Sequence, residues 1–171
     1  MSGDRATLWL IGMMGTGKST VGRLVAVRSK APFVDLDEAI EAAEGRTIPE
    51  IFAAAGEDAF RAVEADAVEG VAGRPVVVAT GGGAVTRPGV AARMRRSGTV
   101  VWLDASPSLL LERVGSGDGR PMLEGDPRQR LEELAARRAP AYRAAAHHRV
   151  EVGGRSPEEI ADEVAGLWTR S

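Results

Sequence analysis

Cysteine is absent from the 171-residue chain, which excludes disulfides, thiolate metal centres and cysteine nucleophiles. Aromatic residues are scarce too, at 4% against 44% hydrophobic residues overall, so the core must be built mainly from Ala, Val, Leu and Ile. No apolar run approaches the roughly 20 residues that a membrane-crossing helix needs. A strong charge of one sign is also missing: the net charge of −2 argues against a general binder of nucleic acid or membrane surfaces. The polar stretch before Thr7 has neither signal- nor transit-peptide character. The expectation is a cytoplasmic monomer with a small-molecule partner, no nucleic acid and no membrane. Lysine is nearly absent as well. Of 22 basic residues only Lys18 and Lys30 are lysine, so the lysine kept at position 18 stands out.

No period of 20–50 residues repeats and no low-complexity linker divides the chain, which is read as one domain over residues 1–171. Short apolar runs alternate with longer helical patterns. Strands are expected at Thr7 to Ile11, Phe33 to Asp35, Pro75 to Ala79, Thr99 to Leu103 and Arg149 to Val152, the last at an edge. Helices are expected at Ser19 to Ser29, Ile48 to Val71, Pro88 to Arg96, Ser106 to Val114, Pro127 to Ala146 and Pro157 to Trp168. Pro88, Pro127 and Pro157 fall where helices begin, where a missing N–H costs nothing. Val76-Val77-Val78 and Val100-Val101 lack in-out alternation, as suits strands covered on both faces. The pattern predicts an α/β fold: a five-stranded parallel sheet in a three-layer αβα sandwich. Gly115 to Asp126, with four glycines and three acidic residues around Arg120, breaks the rhythm. It is either a flexible surface loop or a lid that closes over a ligand.

Gly12-Met-Met-Gly15-Thr-Gly17-Lys18-Ser19 satisfies G-x-x-x-x-G-K-[ST] between a strand and a helix, the context that motif requires. Its glycines turn successive N–H groups onto phosphates at the positive end of the following helix. Lys18 supplies a point charge on the β and γ phosphates, and the Ser19 hydroxyl joins a Mg²⁺ shell. The loop over residues 12–20 therefore predicts ATP-type nucleotide binding through Gly15, Thr16, Gly17, Lys18, Ser19 and Thr20. The chain has no Asn-Lys-x-Asp base-reading motif of a GTPase and is too short for a helicase or large motor, which leaves small-molecule and nucleotide kinases.

Two places offer a further carboxylate. Asp104 follows a strand but opens a helix as Asp-Ala-Ser-Pro, which favours turn or cap chemistry. Asp35 and Asp37 end the second strand, and in an extended segment both carboxylates would share one face. Such a pair can divide labour between Mg²⁺ and a hydroxyl to be deprotonated. The competing reading is a capping pair for a helix from Glu38.

In order, these residues resemble one family, the shikimate kinases, over nearly the whole chain from Leu8 to about Trp168. The resemblance rests on the phosphate loop, Asp35-x-Asp37, Gly56-Glu-x-x-Phe-Arg61 followed by Glu64, and Gly81-Gly82-Gly83-Ala-Val85. It continues with Arg120-Pro-x-Leu123 and Arg138-x-Pro-x-Tyr142. It implies a P-loop kinase fold with a mobile lid over about residues 115–126 and a substrate region over about 35–64. It also implies ATP- and Mg²⁺-dependent phosphorylation of the 3-hydroxyl of shikimate within chorismate and aromatic amino-acid biosynthesis. By the same resemblance Arg61 and Arg138 would hold the substrate carboxylate, and Asp37 would accept from ring hydroxyls and act as base. Gly81, Gly82 and Gly83 would let the backbone approach the ring, and Asp35 would join Ser19 around Mg²⁺. Arg120 would close on the phosphates, and Arg113 and Arg155 would flank the adenine. Phe52 and Phe60 are either pocket walls or ordinary core. Ser156 and Val114 depart from common family residues near the nucleotide. His147 and His148 are read as surface or strand-edge residues with no metal role, and Tyr142 as helix packing or a site residue. A gluconate-type kinase and a non-catalytic nucleotide binder are the alternatives.

Overall fold

The computed structural model describes residues 6–114 and 125–169. Five strands form one parallel sheet: β1 (Thr7–Ile11), β2 (Phe33–Asp35), β3 (Val77–Ala79), β4 (Gly98–Asp104) and β5 (His148–Glu151). Their order is β2-β3-β1-β4-β5, with β5 at an edge as expected. Helices α1 (Lys18–Ser29), α2 (Leu36–Glu44), α3 (Ile48–Val71), α4 (Pro88–Ser97), α5 (Pro107–Val114), α6 (Pro127–Ala145) and α7 (Pro157–Thr169) cover the sheet. The three-layer αβα sandwich is borne out.

Residue alternation explains the two covered faces. On β1, Trp9 and Ile11 enter one core cluster while Leu8 and Leu10 enter the other, and all four are fully buried. One cluster is closed by residues of α2 to α6, the other by α1 and α7. Among the described residues no helix is long and apolar enough to cross a membrane. Because β1 is central and every strand runs the same way, the turns after β1, β2 and β3 meet at the carboxyl edge of the sheet, where α/β folds place ligands.

Three local expectations need correction. A helix, α2, runs from Leu36 to Glu44, beginning two residues before the Glu38 start of the competing reading and capped by Asp35 alone. The helix expected over Ile48 to Val71 is broken at Gly56, whose φ of 82° and ψ of 176° interrupt the α conformation. Helical periodicity on either side conceals the break, and only the glycine marks it. Asp104 caps nothing: Arg149 Nε donates to it at 2.8 Å, and Ser106 Oγ caps α5 by accepting from Leu109 N.

Candidate active site

The phosphate loop leaves β1 through three glycines held at positive φ, Gly12 at 142°, Gly15 at 81° and Gly17 at 94°. Gly17 is also the N-cap of α1, so the loop opens onto that helix's positive end. Lys18 Nζ donates to the carbonyls of Gly12 and Met13, each at 2.8 Å, which holds the ammonium across the loop. Thr16 is buried, and its hydroxyl turns inward to Met13 O at 2.9 Å, so a ligand meets its backbone rather than its side chain. Thr20 is exposed in the first turn of α1. Arg113, near the end of α5, reaches the loop and donates to Gly15 O at 3.1 Å. A Cβ on Gly15 would stand 3.0 Å from Val114, so α5 packs directly on the loop.

Asp35 and Asp37 do not share a face of an extended segment. The strand ends at Asp35, which caps α2, and Asp37 already lies in the first helical turn. Residues two apart on a helix point away from one another. Asp35 divides its oxygens: Oδ1 accepts from Glu38 N at 3.2 Å, while Oδ2 accepts from the Ser19 hydroxyl. Capping and a place beside Ser19 are therefore compatible. An alcohol and a carboxylate side by side next to the phosphate loop are the oxygen donors Mg²⁺ takes, with phosphate and water completing the set. Asp37 is aimed elsewhere, at the glycine turn. Burial, then the nearby charge of Asp35, pushes its carboxyl above the ordinary range.

The second half of the site is a cavity of about 370 Å³ lined by residues of the phosphate loop, α2, α3, the glycine turn and α6. The break at Gly56 lets α3 contribute from both of its parts: Ile48 and Phe52 before it, Glu57, Phe60, Arg61 and Glu64 after it. Phe52 and Phe60 pack with ring centroids 4.9 Å apart and both line the cavity, so the two readings offered for them hold together. Arg61 is 7% exposed and Arg138 5%. Arg61 donates to Glu64 at 2.7 Å and stacks its guanidinium 5.2 Å from the Phe60 ring. Glu64 is 1% exposed, and its burial raises its pKa, against the lowering by Arg61.

The glycine turn is pinned to β1 by Thr80, whose backbone N and hydroxyl both donate to Leu10 O. The reason for three glycines differs from the one expected. A Cβ on Gly81 would lie 2.8 Å from Glu64 and 2.9 Å from Asp37, and one on Gly82 would lie 2.7 Å from Arg138. One on Gly83 would overlap the Arg61 guanidinium, with Cζ at 2.6 Å. The missing side chains make room for the protein's own charged groups, and those groups line this same cavity.

Among the described residues, three buried side-chain polar atoms lack a hydrogen-bond partner: Asp37 Oδ1, Arg61 Nε and Glu64 Oε2. All three belong to side chains that line this one cavity. Buried polar atoms are seldom left unpaired, so two acceptors and a donor collected in one place describe a polar ligand.

Other expected site residues fare differently. Arg155 is held by its own neighbourhood, an ion pair with Glu163 at 2.7 Å and a bond to Glu151 O at 3.3 Å. Ser156 caps α7 reciprocally with Glu159, which gives that departure a structural reason. His147 accepts from Val100 N at 3.0 Å, a strand-edge role. Arg120 and the expected lid lie outside the described residues, apart from Gly125 and Asp126; Asp126 caps α6. Met14, Glu57 and Glu64 stand in the sequence motifs without an assigned role, and Ile48 only as the start of a helix, yet all four line the cavity. A glutamate three residues after a buried arginine, on one helix face, was the available signal for Glu64.

Comparison with known proteins agrees with this geometry. The shikimate kinase family model matches residues 14–167. A shikimate kinase of Symbiobacterium thermophilum is 49% identical over 160 residues, covering 91% of each chain. One of Ralstonia nicotianae is 44% identical, covering 95% of this chain and 90% of its own. Among solved structures, the shikimate kinase from Acinetobacter baumannii in complex with shikimate superposes with a TM-score of 0.91. It is 35% identical and covers 96% of this chain and 93% of its own. A gluconokinase from Sinorhizobium meliloti, 21% identical with a TM-score of 0.64, shares the fold alone. With a phosphate loop opening onto a cavity lined by two arginines and by carboxylates that each keep an unpartnered oxygen, and relatives matching along almost its full length, the chain belongs to the shikimate kinase family.

Proposed function

We propose that this chain transfers the γ-phosphoryl group of ATP to the 3-hydroxyl of shikimate, giving ADP and shikimate 3-phosphate for chorismate and aromatic amino-acid biosynthesis. The observation that carries the reading is the set of three unpartnered buried atoms in one cavity. Shikimate is a carboxylate bearing three hydroxyls. Its hydroxyls suit the free oxygens of Asp37 and Glu64, and its carboxylate suits the guanidinium groups of Arg61 and Arg138.

Each residue then has a part. The Gly82 position lies against the phosphate loop, with a would-be Cβ 3.5 Å from Gly12 O, so the hydroxyl and the γ-phosphate can be brought together. Asp37 accepts the hydroxyl proton as the oxygen bonds to the γ-phosphorus and the bond to the bridging oxygen of ADP breaks. A carboxyl held above its ordinary pKa is a stronger base for that proton. Lys18 and the loop N–H groups of Gly15, Thr16, Gly17, Ser19 and Thr20 carry the phosphates, with Arg113 beside them. We assign Arg120 to the phosphates and Arg155 to the adenine side on the strength of the family resemblance. Ser19 and Asp35 are the residues that would hold Mg²⁺, which supplies charge neutralisation on the phosphates when bound. We take the protein to be a monomer in the cytoplasm, where an ATP-consuming reaction of this kind finds its co-substrate.

The test is a coupled ADP-release assay with and without shikimate, with gluconate as a comparison substrate. ADP release should depend on shikimate, and Lys18→Ala should lower kcat by at least about a hundredfold through loss of phosphate stabilisation. Release no greater with shikimate than with ATP alone would end the proposal.

A further inference from the structure

The proposed reaction uses Arg138 and leaves the residue one turn later without a task. Tyr142 is the chain's one tyrosine, 1% exposed on α6. Its hydroxyl donates to the carbonyl of Gly82 at 2.5 Å. Arg138, on the same face of α6, also crowds Gly82, its Nη1 2.7 Å from where a Cβ would stand. Burial pushes the phenol up to about 12, so it stays a protonated donor across the working range of pH. The ring rests 5.6 Å from that of Trp102 on β4. With Met13 and Thr16 of the phosphate loop it walls a separate cavity of about 210 Å³.

A ring packed on Trp102 would fill this space equally well as phenylalanine, so packing does not account for the hydroxyl. The glycine turn does. Its residues have no side chains to anchor them, and glycine peptides reorient at little steric cost. A planar trans amide points its C=O and N–H in opposite directions. Holding the Gly82 carbonyl against α6 therefore turns the Gly83 N–H away from α6, and Gly83 lines the substrate cavity. We propose that Tyr142 is a positioning residue: its hydroxyl pins the Gly82–Gly83 peptide, against which Arg138 packs, so the carboxylate side of the cavity is ordered before substrate arrives. This rests on the shikimate reading for its substrate, but the ordering itself is a property of the free protein.

Tyr142→Phe tests it. KM and the calorimetric Kd for shikimate should rise about tenfold, as expected for loss of a donor to a buried carbonyl. KM for ATP should stay within about twofold and Tm within a few degrees. In the free protein the Gly83 amide resonance should shift or broaden, a readout that needs no substrate. Trp102→Phe, which keeps the hydroxyl and thins the packing, should lower Tm without moving the shikimate constants by more than about twofold. Parent-like shikimate constants in Tyr142→Phe would overturn the inference. So would parallel rises in both KM values with a falling Tm, or an unchanged Gly83 resonance. A parent enzyme without shikimate-dependent ADP release would instead sink the functional reading, while the resonance still decides the role of Tyr142.

Discussion

Gly83→Ala is the smallest change that should disable the substrate side while leaving the nucleotide side intact. The added methyl would stand 2.6 Å from Arg61 Cζ and 2.8 Å from Nη1, where ordinary contact begins near 3.4 Å. The guanidinium must therefore retreat by about 0.8 Å or more from the place beside Glu64 and Phe60 that it now holds. Retreat strains its 2.7 Å bond to Glu64, itself fully buried. A charge-assisted bond of this kind contributes about 1.5–3 kcal/mol, and a displacement near 1 Å in a positioning group can cost about a hundredfold in rate. We expect kcat/KM for shikimate to fall between about tenfold and a hundredfold in the coupled assay. KM for ATP should stay within about twofold, because the phosphate loop is untouched. Tm should drop by about 3–12 °C, the range that 1.5–3 kcal/mol implies for a domain of this size. Gly70→Ala supplies the control: no atom lies within 4 Å of its added methyl, and it should be neutral or slightly stabilising. A Gly83→Ala enzyme with kcat/KM within threefold of the parent would refute the claim that this glycine exists to admit Arg61.

Asp37→Asn should lower kcat by about 10²–10⁴ as the base is lost, and remove the acid limb of the kcat/KM profile. The same change should raise Tm at pH 7. Burial holds the folded pKa of Asp37 above its ordinary 3.8, so the folded state resists ionisation and is penalised progressively as pH rises above that value. An unchanged Tm would show that the carboxylate is not penalised by its surroundings. At the other side of the sheet, His147 has its pKa held below 6.5, first by burial and then by the charges of Arg95 and His148. Its stabilising contribution as a neutral acceptor from Val100 N is complete above pH 6.5 and is lost as pH falls through the folded value. Thermal scans from pH 7.5 to 5 should therefore show a steeper loss for the parent than for His147→Asn; parallel curves would contradict this.

Motifs with a backbone requirement were legible without the fold. The phosphate loop announces itself because glycine, lysine and serine must recur at set spacing to curl N–H groups onto phosphate, and the structure puts those glycines at positive φ. The buried strands were legible from unbroken valine runs, since a strand covered on both faces needs no alternation. The break at Gly56 and the start of α2 at Leu36 were not, because propensity and periodicity read the same on either side of one altered residue. That misreading of α2 led to the wrong geometry for Asp35 and Asp37.

By itself the sequence determined which chemical groups this protein owns: a phosphate cradle, two acidic residues after the second strand, two separated arginines and three adjacent glycines. Those are matters of covalent order and local dihedral demand. Which group faces which was decided only by the tertiary structure, because Arg61, Gly83 and Arg138 come from separate elements and meet through packing. That packing turned Asp35 towards Ser19 and Asp37 towards the glycine turn, and hung Gly82 from the hydroxyl of Tyr142. It also left three buried atoms in one cavity waiting for a polar ligand.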